Sequence, residues 1–255
     1  MRKRFIFDLD GTLIPCERYY QQRINMFWAF MEIELGHDVP TVATVAHMVE
    51  RENWRLIEEQ GGFYDGIFAQ SLVNTYVLLA EGLGMTPKKN VKEKLHLLGK
   101  SVFDSENYHD TVFQGVFEIL DFLLGKGDEL VLYTKGSPIV QQMKLDVNGL
   151  TKYFPHPVIT PMKDRNGFSE LVGDFDKSCV YKVGNSTRSD VIPATQIGIR
   201  VIHIPREEWS YENNHNGIEH PELVVRLKNV LDIMKIYPRL DTEWDSLTLA
   251  KKDSP

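Results

Sequence analysis

Near the amino terminus an apolar run, Phe5 Ile6 Phe7, passes directly into Asp8 Leu9 Asp10 Gly11 Thr12 Leu13. Two acids two residues apart at the end of a strand direct their carboxylates to one side, and open α/β sheets bind ligands at the carboxyl ends of their strands. Gly11 lets the chain turn sharply beside whatever sits there. A carboxylate pair of this kind is suited to nucleophilic attack by one member and proton transfer by the other. The order Asp, any residue, Asp, Gly, Thr would arise by chance in a chain of this length with a probability on the order of 1%. On these residues alone a strand ending in an Asx turn remains the alternative, because acids also favour turns for local hydrogen bonding.

The segment Asp8 to Leu13 resembles the first motif of the haloacid dehalogenase superfamily, most of whose members are magnesium-dependent phosphohydrolases that form an aspartyl-phosphate. Three later segments extend the resemblance in order. Leu130 Val131 Leu132 Tyr133 Thr134 Lys135 Gly136 is similar to the second motif, a strand ending in Ser or Thr. Lys163, past the apolar pair Val158 Ile159, is the counterpart of the third motif's lone lysine. Its rivals are Lys152, which precedes that strand, and Lys177 and Lys182, which flank or sit inside the next one. Val183 Gly184 Asn185 Ser186 Thr187 Arg188 Ser189 Asp190 resembles the acidic fourth motif, with one departure: the place directly after the glycine, commonly an acid, is Asn185.

The resemblance, which spans Phe5 to Pro205, implies a role for each position. Asp8 is the nucleophile; Asp10 protonates the departing alkoxide and later takes a proton from the hydrolytic water. Thr134, with the amides of Lys135 and Gly136 at a helix start marked by Ser137 and Pro138, forms a phosphate cradle. Lys163 pairs with Asp8 and the phosphoryl group. Mg²⁺ is the implied cofactor, held by Asp8, the Asp10 carbonyl, Asp190 and Asn185. Asp190 is expected to supply most of the charge, since Asn185 offers only a neutral oxygen or a water bridge. These roles agree with elementary chemistry: a phosphate ester is an anion, and a carboxylate attacks it only where cations and amide donors offset the repulsion. Ser186 and Ser189 either orient these ligands or cap the following helix.

The elements that must position these residues alternate in texture. Short β-branched or aromatic runs at Phe5 to Phe7, Leu130 to Tyr133, Val158 to Ile159, Cys179 to Val183 and Val201 to Ile204 read as strands covered on both faces of a parallel sheet. Helical patterns lie between them at Val112 to Leu124, Pro138 to Val147, Phe168 to Val172 and Asp190 to Gln196. The layout is α/β, a doubly wound, Rossmann-like parallel sheet, with a core domain over residues 1–15 and 108–255. Residues 16–107 form a helical-bundle cap inserted after the first strand, at the place of the family's C1-type caps. Four stripes predict its helices: Ile24, Phe27, Trp28, Met31 and Leu35; Val42, Val45, Val49 and Leu56; Phe68, Leu72, Leu79 and Leu83; and Val91, Leu95, Leu98 and Val102. An amphipathic helix is expected over Pro221 to Ile236, followed by a polar tail.

Weaker candidates read as structural. Trp28, Trp54 and Tyr76 fall on the cap's apolar stripes. Arg18, Arg23, Arg51 and Arg55 read as solvated helix faces, and His215, Glu219 and His220 as a solvated loop whose spacing fixes no metal geometry. Cys16 has no activating neighbour in the sequence.

The 255 residues are 42% hydrophobic and 25% charged, which excludes a disordered or fibrous chain. A net charge of -7 opposes a phosphate backbone, so no nucleic-acid partner is expected. Two cysteines, Cys16 and Cys179, are too few for a disulfide framework, and no apolar run has the length of an export signal or a membrane span. The expectation is a cytoplasmic monomer or homodimer without a membrane partner, acting on a small phosphorylated metabolite. A dehalogenase or phosphonate hydrolase of the family would replace the second acid, so Asp10 argues against both. A phosphomutase of the same family stays open, as does a non-catalytic phospho-acceptor or binding protein.

Overall fold

A computed structural model describes residues 1–206, 209–212 and 218–249. It divides into two compact units, Met1–Pro15 with Asp110–Pro255, and Cys16–His109. In chain order the elements are β1 (Arg4–Phe7), α1 (Glu17–Leu35), α2 (Val42–Gln60), α3 (Ile67–Gly82) and α4 (Lys89–Lys100), then α5 (Val116–Gly125), β2 (Glu129–Lys135), α6 (Pro138–Val147) and β3 (Val158–Thr160). There follow α7 (Arg165–Val172), β4 (Val180–Gly184), α8 (Ile192–Gln196), β5 (Arg200–His203), β6 (Val224–Arg226), α9 (Asp232–Ile236) and α10 (Trp244–Leu249).

In the first unit the strands form one sheet of order β3-β2-β1-β4-β5-β6, with every neighbouring pair parallel. This is the doubly wound α/β architecture that the alternating textures imply. Phe5, Ile6, Phe7, Val180, Val183, Val201 and Ile202 are completely buried, as strands with helices on both faces require. The sheet reverses direction of build at β1, which has β2 on one side and β4 on the other, so the chain leaving β1 emerges at the switch point where such sheets bind ligands.

Two sequence expectations change. Pro221 to Ile236 is not a helix: Val224–Arg226 adds to the sheet as β6 beside β5, and only Asp232–Ile236 is helical. Apolar residues at 224, 227, 230 and 233 fit a helical spacing, but the free edge of β5 offers the β-branched pair Val224 Val225 a ladder instead. The helix expected from Val112 begins at Val116, because the Phe113 amide is committed to the Leu13 carbonyl at 2.9 Å.

The second unit consists of α1 to α4. Ile24, Phe27, Met31 and Leu35 of α1 are buried, as are Val45, Val49 and Leu56 of α2, Phe68, Leu72 and Leu79 of α3, and Val91 and Leu95 of α4. Tyr76 is interior, its hydroxyl accepting from the Lys88 amide at 2.9 Å. Arg23 is not a solvated face: it donates to Ser101 and Asn107, tying the first helix of the unit to its last segment. No helix among the described residues is long and apolar enough to cross a membrane.

Candidate active site

The carboxyl ends of β1 to β4 bring the candidate residues together. Register places Phe7 beside Leu132 and Val183, so Asp8 is the first residue past β1, its amide donating to the Val183 carbonyl at 2.9 Å. Thr134 sits near the end of β2. Lys163 follows β3, immediately before α7, whose N-cap Asp164 accepts from the Gly167 amide at 2.8 Å and so fixes the chain at the lysine. Asn185 follows β4.

Lys163 Nζ donates to Asp8 Oδ1 and, at 2.7 Å, to Asp190 Oδ1. Lys182 Nζ lies 3.1 Å from the same Asp190 oxygen. All four side chains are buried. Burial pushes the Asp8 carboxyl up, against the opposing pull of Lys163. Burial acts the same way on Asp190, but Lys163 and Lys182 outweigh it and hold that group well below the carboxylate range. For Lys163 burial opposes the charge, yet Asp190 and Asp8 raise its pKa. Lys182 is the converse case, where burial prevails over Asp190 and lowers the value to about 8.

Asn185 and Asp190 have different surroundings. Asp190 Oδ1 faces the two lysines and Oδ2 accepts from the Ser186 amide at 3.2 Å. A Cβ at Gly184 would lie 2.2 Å from Asp190 Oδ2, so the packing of this carboxylate needs that glycine. Both Asp190 oxygens are engaged, and the expectation that this residue leads in holding a cation does not follow from the geometry. The Asn185 amide instead presents one terminal atom 3.0 Å from the Asp10 carbonyl, 3.0 Å from Thr12 Oγ1 and 3.2 Å from Asp8 Oδ2. As nitrogen, that atom donates to all three. As oxygen, it would stand from Asp10 O and from Asp8 Oδ2 at roughly the octahedral edge of Mg²⁺, about 2.9 Å for bonds near 2.0–2.1 Å. The donor set therefore fits Mg²⁺. Asn185 comes this close because Gly11, at φ +77°, has no Cβ; one built there would lie 2.3 Å from Asn185 Nδ2.

The phosphate cradle is narrower than the sequence implied. The Gly136 amide already donates to the Thr160 carbonyl at 2.9 Å. The Lys135 side chain turns to Glu212 and donates to Ser189 Oγ at 2.8 Å. Of the two roles expected, Ser186 takes the capping one, its Oγ accepting from the Ser189 amide at 2.9 Å, while the hydroxyls of Ser186 and Ser189 donate to Glu212 Oε2, at 2.5 and 2.7 Å. Burial raises the Glu212 carboxyl, but Lys135 and the two serines reverse this and hold it below its usual value. Asp10 is bound from α6, by Lys144 and Gln141.

Sequence reasoning missed Thr12, Gln141, Lys144 and Glu212, and treated Lys182 only as a rival of Lys163. A lysine inside an otherwise apolar strand was a signal, because a buried ammonium needs a partner. Glu212 gave none. His215 lies outside the described residues, and His220 Nδ1 meets Glu222 at 3.0 Å on the surface. No group of three His, Cys, Asp or Glu among the described residues could hold a metal; the set above depends on a backbone carbonyl and an amide.

No protein-family model and no curated protein matches the chain. Solved structures do. A haloacid dehalogenase-like family hydrolase from Xanthomonas campestris superposes with a TM-score of 0.72 at 20% identity, over 96% of this chain and 98% of that one. A predicted phosphoglycolate phosphatase from Haemophilus somnus gives 0.60 at 19% identity, over 92% and 98%. The L-2-haloacid dehalogenase of Xanthobacter autotrophicus with chloropropionic acid covalently bound gives 0.56 at 16%, over 93% and 99%. The chain has the fold of the haloacid dehalogenase-like hydrolases.

Proposed function

We propose that the protein is a Mg²⁺-dependent phosphohydrolase of small phosphorylated metabolites, working through an aspartyl-phosphate on Asp8. The observation that carries this reading is the convergence of Asp8 Oδ2, the Asp10 carbonyl and the Asn185 amide, with a second carboxylate, Asp10, two residues from the first. An enzyme that attacks carbon has no need of that oxygen set. A similarity of fold to both phosphatases and dehalogenases leaves the choice to these residues.

In this reading the Asp8 carboxylate attacks phosphorus and the ester P–O bond breaks, its electron pair leaving with the alkoxide. Asp10 gives that oxygen a proton. Water then attacks the phosphorylated Asp8, Asp10 takes the proton, and the bond from phosphorus to Asp8 breaks to release phosphate and restore the carboxylate. Lys163 holds Asp8 in place, and the Thr134 hydroxyl binds a phosphoryl oxygen. Asp8, the Asp10 carbonyl and Asn185 would hold Mg²⁺, which when bound neutralises phosphoryl charge. The helical unit is inserted between Pro15 and Asp110 of the α/β unit, and within the α/β unit the Phe113 amide donates to the Leu13 carbonyl.

A phosphate-release screen over phosphorylated metabolites with Mg²⁺ tests the proposal, using Asp8→Asn as control. Release by the wild type and a loss of several orders of magnitude in the variant are expected. Chloride release from 2-haloacids without phosphate release would replace this reading with a dehalogenase, and an isomerised phosphate product would replace it with a mutase.

A further inference from the structure

Gln141 and Lys144 stand three residues apart on α6, a spacing that places them on one helix face, and each is only 2% exposed. Lys144 Nζ lies 2.8 and 2.9 Å from the two carboxylate oxygens of Asp10. Gln141 Nε2 lies 2.9 Å from Asp10 Oδ2, 2.7 Å from Thr134 Oγ1 and 3.2 Å from the Lys135 carbonyl. An ammonium this deeply buried is strongly unfavourable without a charged partner, so Lys144 and Asp10 constrain each other. The Gln141 amide nitrogen, with two hydrogens, can serve the acid and the hydroxyl together.

We propose that Gln141 and Lys144 are positioning residues: together they set the direction of the Asp10 carboxylate, and Gln141 fixes that direction relative to the Thr134 hydroxyl. The proposal rests on the phosphohydrolase reading in one respect, that Asp10 delivers the proton to the leaving oxygen. The geometry then couples the proton carrier on β1's loop to the phosphate-binding hydroxyl on β2 through a single helix face, and small displacements of a proton donor cost large factors in rate. In this scheme both residues act through Asp10.

A purely structural role and a positioning role differ in their dependence on the leaving group. An alkyl alkoxide needs a proton to depart, whereas p-nitrophenolate does not. Lys144→Met and Gln141→Leu should therefore lower kcat for glycerol 3-phosphate at least about tenfold more than kcat for p-nitrophenyl phosphate, with KM nearly unchanged. Lys144→Arg, which keeps the charge, should recover most of the difference. Equal losses on the two substrates, or no loss on either, overturn the proposal. Should Lys144→Met fail to fold, Gln141→Leu carries the same comparison without removing a buried charge. If the wild type releases no phosphate from any ester, the phosphohydrolase reading fails by itself, and crystal structures of the variants still decide the positioning role: Asp10 found in its wild-type orientation in both would overturn it.

Discussion

Lys163 and Lys182 lie wholly inside the α/β unit against Asp8 and Asp190, whereas Lys88 and Arg55 of the helical unit keep 56% and 45% of their side chains in solvent as they reach Glu34 and Glu59. The helical unit is closed by apolar stripes, and most of its charge stays outside, where it costs little and decides little. The α/β unit also has a large apolar core, yet it places four charged side chains at the centre of one strand edge. Buried ion pairs seldom improve on apolar packing, so stability alone gives no reason for them. The difference teaches where to look for chemistry in this chain, and substitutions can test it by their unequal effects.

The largest effect is expected from Lys163→Met. It leaves Asp8 and Asp190 facing one another with Lys182 as their remaining cation at this edge. Removing one partner from a buried pair typically costs about 3–5 kcal/mol, and with it the support of the proposed nucleophile. Denaturant unfolding at neutral pH should show the loss, and phosphate release should fall below detection. A variant as stable as the wild type would remove the contrast between the two units.

What could be seen in the sequence follows from how local each signal is. Asp8 and Asp10 are adjacent to their strand and need no partner to be noticed, and the same holds for Thr134 at the end of an apolar run. The four helical stripes of the insert are likewise periodic within one segment, and most of their residues are buried as the spacing implies, although Val42 and Leu83 are exposed and Trp28 and Leu98 only partly covered. Glu212 could not be seen, because what makes it matter is the meeting of a loop after β5 with Lys135 and with two serines after β4. Val224 to Arg226 was misread for a related reason: helical spacing is a property of the segment, while the vacant edge of β5 belongs to the tertiary structure. Asn185 was visible as a departure, but its place beside Asp8 and the Asp10 carbonyl depends on the absent side chain of Gly11, 174 positions earlier in the chain.

Glu212→Gln should give the next largest effect, about 1–3 kcal/mol at pH 7, since charged hydrogen bonds are lost in a buried place. Its sign with pH is fixed by the lowered carboxyl. The stabilisation is present above the usual value of 4.5 and is lost as pH falls through the folded-state value. The difference between wild type and variant in urea should therefore shrink on acidification below about pH 4.5. A gap that stays constant down to pH 3 would show that Glu212 is not held ionised by Lys135.

Asn185→Asp sharpens the comparison inside the site. It adds a carboxylate within 3.2 Å of Asp8 Oδ2 and 3.0 Å of the Asp10 carbonyl. In EDTA this repulsion should lower the melting temperature by roughly 2–4 °C, the shift expected for about 1 kcal/mol in a protein of this size. Mg²⁺ should restore it, because the third oxygen now carries charge. An equal deficit with and without Mg²⁺ would remove Asn185 from the cation site.

The smallest effect is expected at Lys88. Its ammonium meets Glu34 Oε1 at 2.5 Å, and Glu34 raises its pKa through the hydrogen bond and the charge. The contact is short but lies in water, where holding two long side chains together cancels most of the attraction and salt screens the rest. Lys88→Ala should therefore leave the melting temperature and phosphate release within error of the wild type at physiological salt. The Lys88 amide, which binds the Tyr76 hydroxyl at 2.9 Å, is retained in the variant, so the interior contact at this position survives. A fall comparable to that of Glu212→Gln would mean that exposed charge also supports the helical unit, and that the contrast between the two units is one of position alone.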